Sequence, residues 1–261
     1  MKKTVIFLLI IVILVICTTI PIVAQNRSYD WYCKHVKGHV QPNAPSELSF
    51  IASFDGYYID KKHTSFEKER VIYLTFDAGY ENGNVTKILD ILKAEDVTAA
   101  FFVLEHLVVK EPTLIKRMAD EGHLVCNHTA THKDVSNCDE NAFLDELHTL
   151  ESACLEKTGV RVAPYYRPPK GRFSEENLRC AQENGYKTVF WSFAYPDWEN
   201  ERQMPLEKAK RIISENLHNG EVMLLHPTSA TNAAILSDLI QELKREGWRF
   251  GSLDELTGEK G

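Results

Sequence analysis

The chain has 261 residues and a formal charge of −7, from 30 basic and 37 acidic side chains. That length allows one good-sized domain behind a leader, generous for a β-sandwich and ordinary for an α/β barrel. The negative balance argues against nucleic acid as a partner and leaves sugars and wall polymers open as substrates.

Met1-Lys2-Lys3 is a short basic start, and almost every residue over 5–24 is apolar, the exceptions being Cys17, Thr18, Thr19 and Pro21. A run of roughly 20 residues is long enough to span a bilayer. Residues 1–24 therefore read as an export leader, either a signal peptide cut after Ala24 or a retained N-terminal membrane anchor. Ile22 is bulky for the position two before that cut, which favours retention with the lysines on the cytoplasmic side. The expected location is the outer face of the cytoplasmic membrane or the cell wall. Residues 25–69 are polar, carry Pro42 and Pro45, and read as an irregular arm packed on the domain that follows. Beyond Cys17 the cysteines are Cys33, Cys126, Cys138, Cys154 and Cys180, an odd number at wide spacing with no CxxC. That is no disulfide framework; buried thiols, with at most a single bridge, are expected.

From residue 71 the pattern alternates. A strand at 71–77 is followed by a helix at 84–95, with Ile88, Leu89, Ile91 and Leu92 at helical spacing. A strand at 97–103 leads to a helix at 112–121, closed by Gly122. A short strand at 123–127 leads to a helix at 140–157 that ends at Gly159. A short strand at 164–167 leads to a helix at 174–184, with Ser174 as N-cap, no capping-box Glu at 175 or 176, and Gly185 as the stop. Then come a strand at 186–193, a helix at 205–218, a strand at 221–226, a helix at 230–246 and a last strand at 248–251. Seven strands alternating with helices require parallel pairing, because each helix is a crossover. The expected fold class is α/β, a distorted (β/α) barrel of about seven parallel strands. An open doubly wound sheet is the second choice, weakened by the lack of a phosphate-binding glycine fingerprint.

The polar residues fall at the carboxyl ends of these strands. They are Asp77, then Asn127 and His128, then Arg167, then Asp197-Trp198, then His226. In a barrel these ends share one face, where barrel enzymes keep their chemistry. Each residue also has a plain reading. Asp77 suits a turn before Gly79, and Asp197 suits a cap. Arg167 could pair with a structural carboxylate, His226 could close an apolar strand, and His128 and His132 could be two loop histidines. Taken together they fit hydrolysis of an amide or ester. Two imidazoles four residues apart can face one metal ion. Asp77 is placed to take a proton from water, His226 to give one to a leaving group, and Arg167 to hold Asp77 ionised.

At these residues the sequence resembles the polysaccharide deacetylases with a NodB-homology domain, carbohydrate esterase family 4. "TFDAGYENG" resembles the first motif, which implies Asp77 as catalytic base. "HTATH" resembles the metal motif, which implies His128 and His132 as ligands. "RPPKG" resembles the third, which implies that Arg167 orients the base and that the backbone after Pro169, at Gly171, lies near the oxyanion. "PDW" resembles the fourth, giving Asp197 a catalytic and Trp198 a substrate-binding place. "LLH" resembles the fifth, which implies His226 as general acid. The resemblance is closer to the δ-lactam-biosynthetic de-N-acetylases of spore-cortex peptidoglycan. It runs over about 31–256, through "KGHVQP", "TKILDIL", "VFWSFA" and "FGSLDEL", and places the deacetylase domain at 70–258.

One departure stands out. The wider family has a metal-ligand Asp directly after the base, and the lactam subgroup usually has Asn; here it is Ala78. The resemblance thus implies a divalent metal, zinc by its histidine donors, held weakly. Cys126 shares a strand face with His128, so it is a further donor by position and an inert buried thiol by habit. Lys170 stands where the wider family often has an aromatic, and Arg172 follows closely. Either cation could read the lactyl carboxylate that muramic acid has and N-acetylglucosamine lacks, or be a solvated loop residue. The implied function is metal-dependent removal of the N-acetyl group of N-acetylmuramic acid in peptidoglycan, leading to muramic δ-lactam. Deacetylation of N-acetylglucosamine in wall glycan or chito-oligosaccharide is the alternative, and a glycan-binding barrel without catalysis is a third reading. The implied partners are the glycan strand and, through the N-terminal run, the membrane.

Overall fold

The computed structural model describes residues 27–65 and 69–259; the apolar N-terminal run expected to be a leader or anchor lies outside them. The arm supplies β1 (Tyr29–Asp30), a 3-10 helix (Ser46–Phe54) and β2 (Gly56–Tyr57). Then come β3 (Arg70–Ala78), α1 (Asn84–Ala94), β4 (Ala100–Val103), α2 (Glu105–Lys110), α3 (Pro112–Asp120), β5 (Leu124–Asn127) and α4 (Glu140–Thr158). They are followed by β6 (Ala163–Tyr166), β7 (Arg172–Phe173), α5 (Glu175–Glu183), β8 (Lys187–Val189) and α6 (Leu206–Asn216). The chain continues through β9 (Glu221–Leu225), α7 (Ala230–Arg245), β10 (Trp248–Phe250) and α8 (Leu253–Thr257).

β3 is the hub of the sheet. Its start pairs with β10, its middle with β9 and its end with β4, all parallel. From β4 the sheet runs through β5, β6 and β8. The seven strands expected from sequence form this curled parallel sheet, with the helices around it. Strands covered on both faces read as continuous apolar runs, and β3 is buried without interruption from Val71 to Phe76. Side chains alternate between two apolar layers. Tyr73, Phe102, Cys126, Tyr165, Val189 and Val222 pack inside the curl. Phe76, Ala78, Val103, Val125 and Leu225 pack outside, against α1, α3 and α7.

The curl closes through a narrow seam. After β8 the chain makes one parallel bridge, Phe193 to Met223. The Ser192 amide donates to the Val222 carbonyl at 3.0 Å, and the Leu224 amide to the Phe193 carbonyl at 2.9 Å. A strand expected over 186–193 is thus regular only to Val189 and then bends across to β9.

The arm is built into this seam. β2 joins the sheet beside β8, and β1 pairs antiparallel with β7. Trp31 donates from its indole nitrogen to the Trp191 carbonyl at 2.9 Å and stacks on Phe190 at 4.6 Å. The Gln41 amide donates to carbonyls of Asp60, His63 and Asn219. Helix ends follow local rules. Asp139 caps α4 by accepting from the Ala142 amide at 2.8 Å, and Gly159 ends it in the left-handed region. α5 carries a capping box, but with Asn177 rather than a glutamate answering Ser174. The described cysteines, Cys33, Cys126, Cys138, Cys154 and Cys180, are all free thiols.

Gly220, just before β9, has φ +72°, and a Cβ there would lie 2.5 Å from the Asp60 carbonyl oxygen. Gly220→Ala meets both a strained backbone and a clash with the arm. It is expected to lower stability by about 3 kcal/mol in urea unfolding; a loss under ~1 kcal/mol means the arm yields freely.

Candidate active site

A cavity of about 580 Å³ opens at the carboxyl ends of the strands, a volume usual for small-ligand sites. Asp77, His128, His132, Lys170, Trp198 and His226 line it, with Tyr80, Leu104, Trp191, Leu224 and Thr228 among the other wall residues.

Asp77 ends β3 on the inner face. Arg167, fully buried just past β6, donates from Nη1 to Asp77 Oδ1 at 2.8 Å. Its remaining nitrogens are occupied: Nε donates to the Val189 carbonyl at 2.9 Å and Nη2 to that of Phe190 at 3.1 Å. The guanidinium lies 4.1 Å from the Phe102 ring centre. Burial pushes the Asp77 carboxyl up, but Arg167, with His128 and His226, outweighs it, so the group sits below the usual carboxylate range and is ionised at neutral pH.

His128 donates from Nδ1 to the Arg167 carbonyl at 2.8 Å. That bond leaves Nε2 facing the cavity, 3.5 Å from Asp77 Oδ2. The His132 ring stands edge-on to it, 4.9 Å between centres. The loop between them is strained, with Thr129 at φ 70° and His132 at φ 58°. Three side chains hold it there. The Asn127 oxygen accepts from the Thr129 amide at 2.9 Å, and the Thr129 hydroxyl oxygen accepts from the His132 amide at 3.0 Å. Glu146 of α4, itself buried, accepts from the Thr131 amide at 2.9 Å and from its hydroxyl. Burial, then the neighbouring imidazole, pulls His132 down to about 4, and burial lowers His128 as well. Both rings are neutral, with lone pairs available.

The opposite wall holds a second pair. Asp197, buried behind His226, accepts from its Nδ1 at 2.7 Å and from its backbone amide at 2.8 Å. Asn232 donates to the same carboxylate at 2.6 Å and to the His226 carbonyl at 3.1 Å. Burial pulls His226 down, but the Asp197 hydrogen bond and charge, with Asp77 adding, outweigh it and leave the imidazole above its ordinary value. One wall thus holds an anion and the other an imidazole whose proton is bound more tightly than usual, the separation that acid–base chemistry needs.

Of the residues expected from sequence, Asp77, His128, His132, Lys170, Trp198 and His226 reach the cavity, and Arg167 and Asp197 stand directly behind two of them. Gly171 and Arg172 do not line it. The Gly171 amide donates to the Pro168 carbonyl at 3.0 Å, and its own carbonyl accepts from Trp31. Arg172 pairs with Asp30 at 3.0 Å and Asp134 at 2.7 Å, pulled to the β1–β7 ribbon. Sequence reasoning missed Glu146 and Asn232, which act from the helices that follow the loops they hold and belong to no motif, and Trp191 and Tyr80, which lay inside quoted stretches.

Comparisons with known proteins point to the same family as the motifs. A sequence profile described as polysaccharide deacetylase matches residues 65–189. Over 236 residues the chain is 41% identical to the peptidoglycan-N-acetylmuramic acid deacetylase PdaA of Bacillus subtilis, covering 90% of this chain and 88% of that one. The chain belongs to the polysaccharide deacetylases, carbohydrate esterase family 4. The solved structure of Bacillus subtilis PdaA, a family 4 carbohydrate esterase, superposes with a TM-score of 0.84 at 40% identity, covering 90% of this chain and 99% of that one. A peptidoglycan-N-acetylglucosamine deacetylase of Bacillus cereus is 30% identical over 197 residues, 74% of this chain and 90% of its own. Polysaccharide deacetylases are hydrolases of amide bonds, and they are generally metal-dependent.

The donors here suit a metal only in part. Among the described residues no group of three or more His, Cys, Asp or Glu side chains is arranged to hold an ion. Two neutral imidazoles converge, but Ala78 is fully buried in the outer apolar layer and offers no donor. The Cys126 thiol lies in the inner apolar layer, where burial raises its pKa and keeps it protonated. A catalytic zinc normally has three protein ligands.

His226, followed by NMR, is expected to titrate above about 6.5, the value of an unperturbed imidazole. Asp197→Asn removes the charge that does most to raise it and leaves burial opposed mainly by Asp77, so the transition moves to lower pH; an unmoved transition would refute this account of the pair.

Proposed function

We propose that the protein removes the acetyl group from N-acetylmuramic acid in peptidoglycan. The observation that carries the chemistry is the facing pair: a carboxylate held ionised by Arg167 and an imidazole whose proton affinity is raised by Asp197, across one cavity. Asp77 takes the proton of the attacking water, and Arg167 fixes which oxygen is free to do so. His226, its Nδ1 tied to Asp197, presents Nε2 to the leaving nitrogen and gives it a proton. His128 and His132 would hold a divalent ion, zinc being the one their donors suit, and it would polarise the acetamide carbonyl. With two protein ligands that ion would be held loosely, and added metal should raise the rate.

Two observations support muramic acid over glucosamine. The similarity to the Bacillus subtilis muramic acid deacetylase spans nine-tenths of the chain. Lys170, on the cavity wall in a left-handed backbone conformation of φ 57°, offers a cation to the lactyl carboxylate. Once the acetyl group is gone, the freed amine and that carboxylate are the two groups that close to a δ-lactam, a product suited to spore cortex. The apolar run at 5–24 supports export and a place at the outer membrane face or in the wall. Among the described residues no helix is long and apolar enough to cross a membrane.

The deciding measurement is acetate release from peptide-stripped peptidoglycan with and without divalent metal, followed by analysis of which sugar lost its acetyl group. Asp77→Asn is expected to cost on the order of 10³-fold in kcat. The rate should fall as pH drops through the depressed Asp77 pKa, and fall again as pH rises through the raised His226 pKa. Lys170→Ala should lower the muramic-to-glucosamine rate ratio. Acetate release that survives both a strong chelator and Asp77→Asn would overturn the mechanism, and loss of acetate from glucosamine alone would overturn the substrate.

A further inference from the structure

Two exposed large apolar side chains among the described residues line the cavity, and both are aromatic: Tyr80, 42% exposed, and Trp198, 54% exposed. Trp198 sits 6.0 Å from the His226 ring. Tyr80 is exposed although its loop is tightly held. Glu81 accepts from the Gly83 amide at 2.8 Å. The Asn82 side chain donates to the Thr228 carbonyl at 2.8 Å, and that of Asn84 to the same oxygen at 3.0 Å. The Tyr80 hydroxyl accepts from the Asn200 amide, two residues beyond Trp198. The loops after β3 and after the seam are thereby joined over the end of β9, with two aromatic rings on one arc of the rim. Lys170, after β6, lies on the far arc by the order of the strands.

We propose that Tyr80, with Trp198, forms a platform for the sugar next to the one being deacetylated. The proposal rests on the glycan-deacetylase reading of the cavity. A polymer whose reacting acetamide enters an open cavity must carry its neighbouring sugar over the rim. A pyranose ring presents a face of C–H groups with hydroxyls at its edge, and this matches a pre-positioned aromatic face with polar groups beside it. An aromatic ring already fixed by its hydroxyl and its loop loses little entropy on contact. Lys170 on the opposite arc then faces the reacting sugar's carboxylate, so the two arcs would read adjacent units of the strand. No charged partner is implied at Tyr80; the uncharged sugar is the occupant.

The test uses peptide-stripped glycans of two sugars and of six or more, with acetate release measured for the full chain. The wild type should have the higher kcat/KM on the longer glycan. Tyr80→Ala should reduce that long-to-short ratio about tenfold, mainly through KM, and Tyr80→Phe, which keeps the ring and drops the link to Asn200, should preserve most of it. A ratio unchanged in Tyr80→Ala, no length preference in the wild type, or equal losses in the Phe and Ala variants would each overturn the platform. If the wild type releases no acetate from either glycan, the deacetylase reading fails by itself. Calorimetric binding of the long glycan to Asp77→Asn, with and without Tyr80→Ala, still decides the platform: weaker binding without the ring supports it, and equal binding refutes it.

Discussion

The site depends on one buried ion pair. Arg167 is fully enclosed, and a guanidinium without an anion in such a place would be severely unfavourable; removing one member of such a pair typically costs about 3–5 kcal/mol. Asp77 supplies the anion, and the Val189 and Phe190 carbonyls and the Phe102 ring take up the rest of the cation. The arrangement works in both directions. It keeps Asp77 ionised despite burial, and it ties β3, β4, β6 and the end of β8 together at the level of the cavity. Even the Arg167 carbonyl takes part, since it fixes the His128 tautomer that turns Nε2 to the cavity.

The second pair repeats this logic with the charges exchanged. A buried carboxylate, Asp197, anchors an imidazole at the surface of the cavity, and Asn232 satisfies the carboxylate's remaining capacity. Two oppositely tuned groups on facing walls are what the proposed acid–base steps require, without any unusual residue. The metal side is less complete. A strained loop pinned by Glu146, Asn127 and Thr129 presents two imidazoles together, yet position 78 lies in the outer apolar layer as alanine.

Much of this was legible in the sequence because parallel barrels place strand ends together. Knowing that 77, 128, 167, 197 and 226 follow strands was enough to gather them on one rim. Spacing alone could not reveal the supports. Glu146 and Asn232 look like ordinary helix residues, and only the fold brings them under the loops they hold. Arg172 shows the opposite failure: its position two residues after Lys170 suggested the cavity, but β7 turns it to the outside, where Asp30 and Asp134 capture it. The arm looked irregular because its strands are two residues long and are completed by partners more than a hundred residues away.

That arm bears on how the molecule can be divided. The ring of strands is stitched shut at a single bridge, and the stitch is braced from outside by Trp31, by His35 stacked on Phe193, and by the pairing of β2 with β8. Trp191 and Ala194, on either side of the stitch, are also cavity wall. The described part of the arm, residues 27–65, is therefore a buttress rather than an appendage. A version trimmed to the alternating strands and helices would retain every proposed catalytic side chain and still lose the contacts that brace the seam between the two walls.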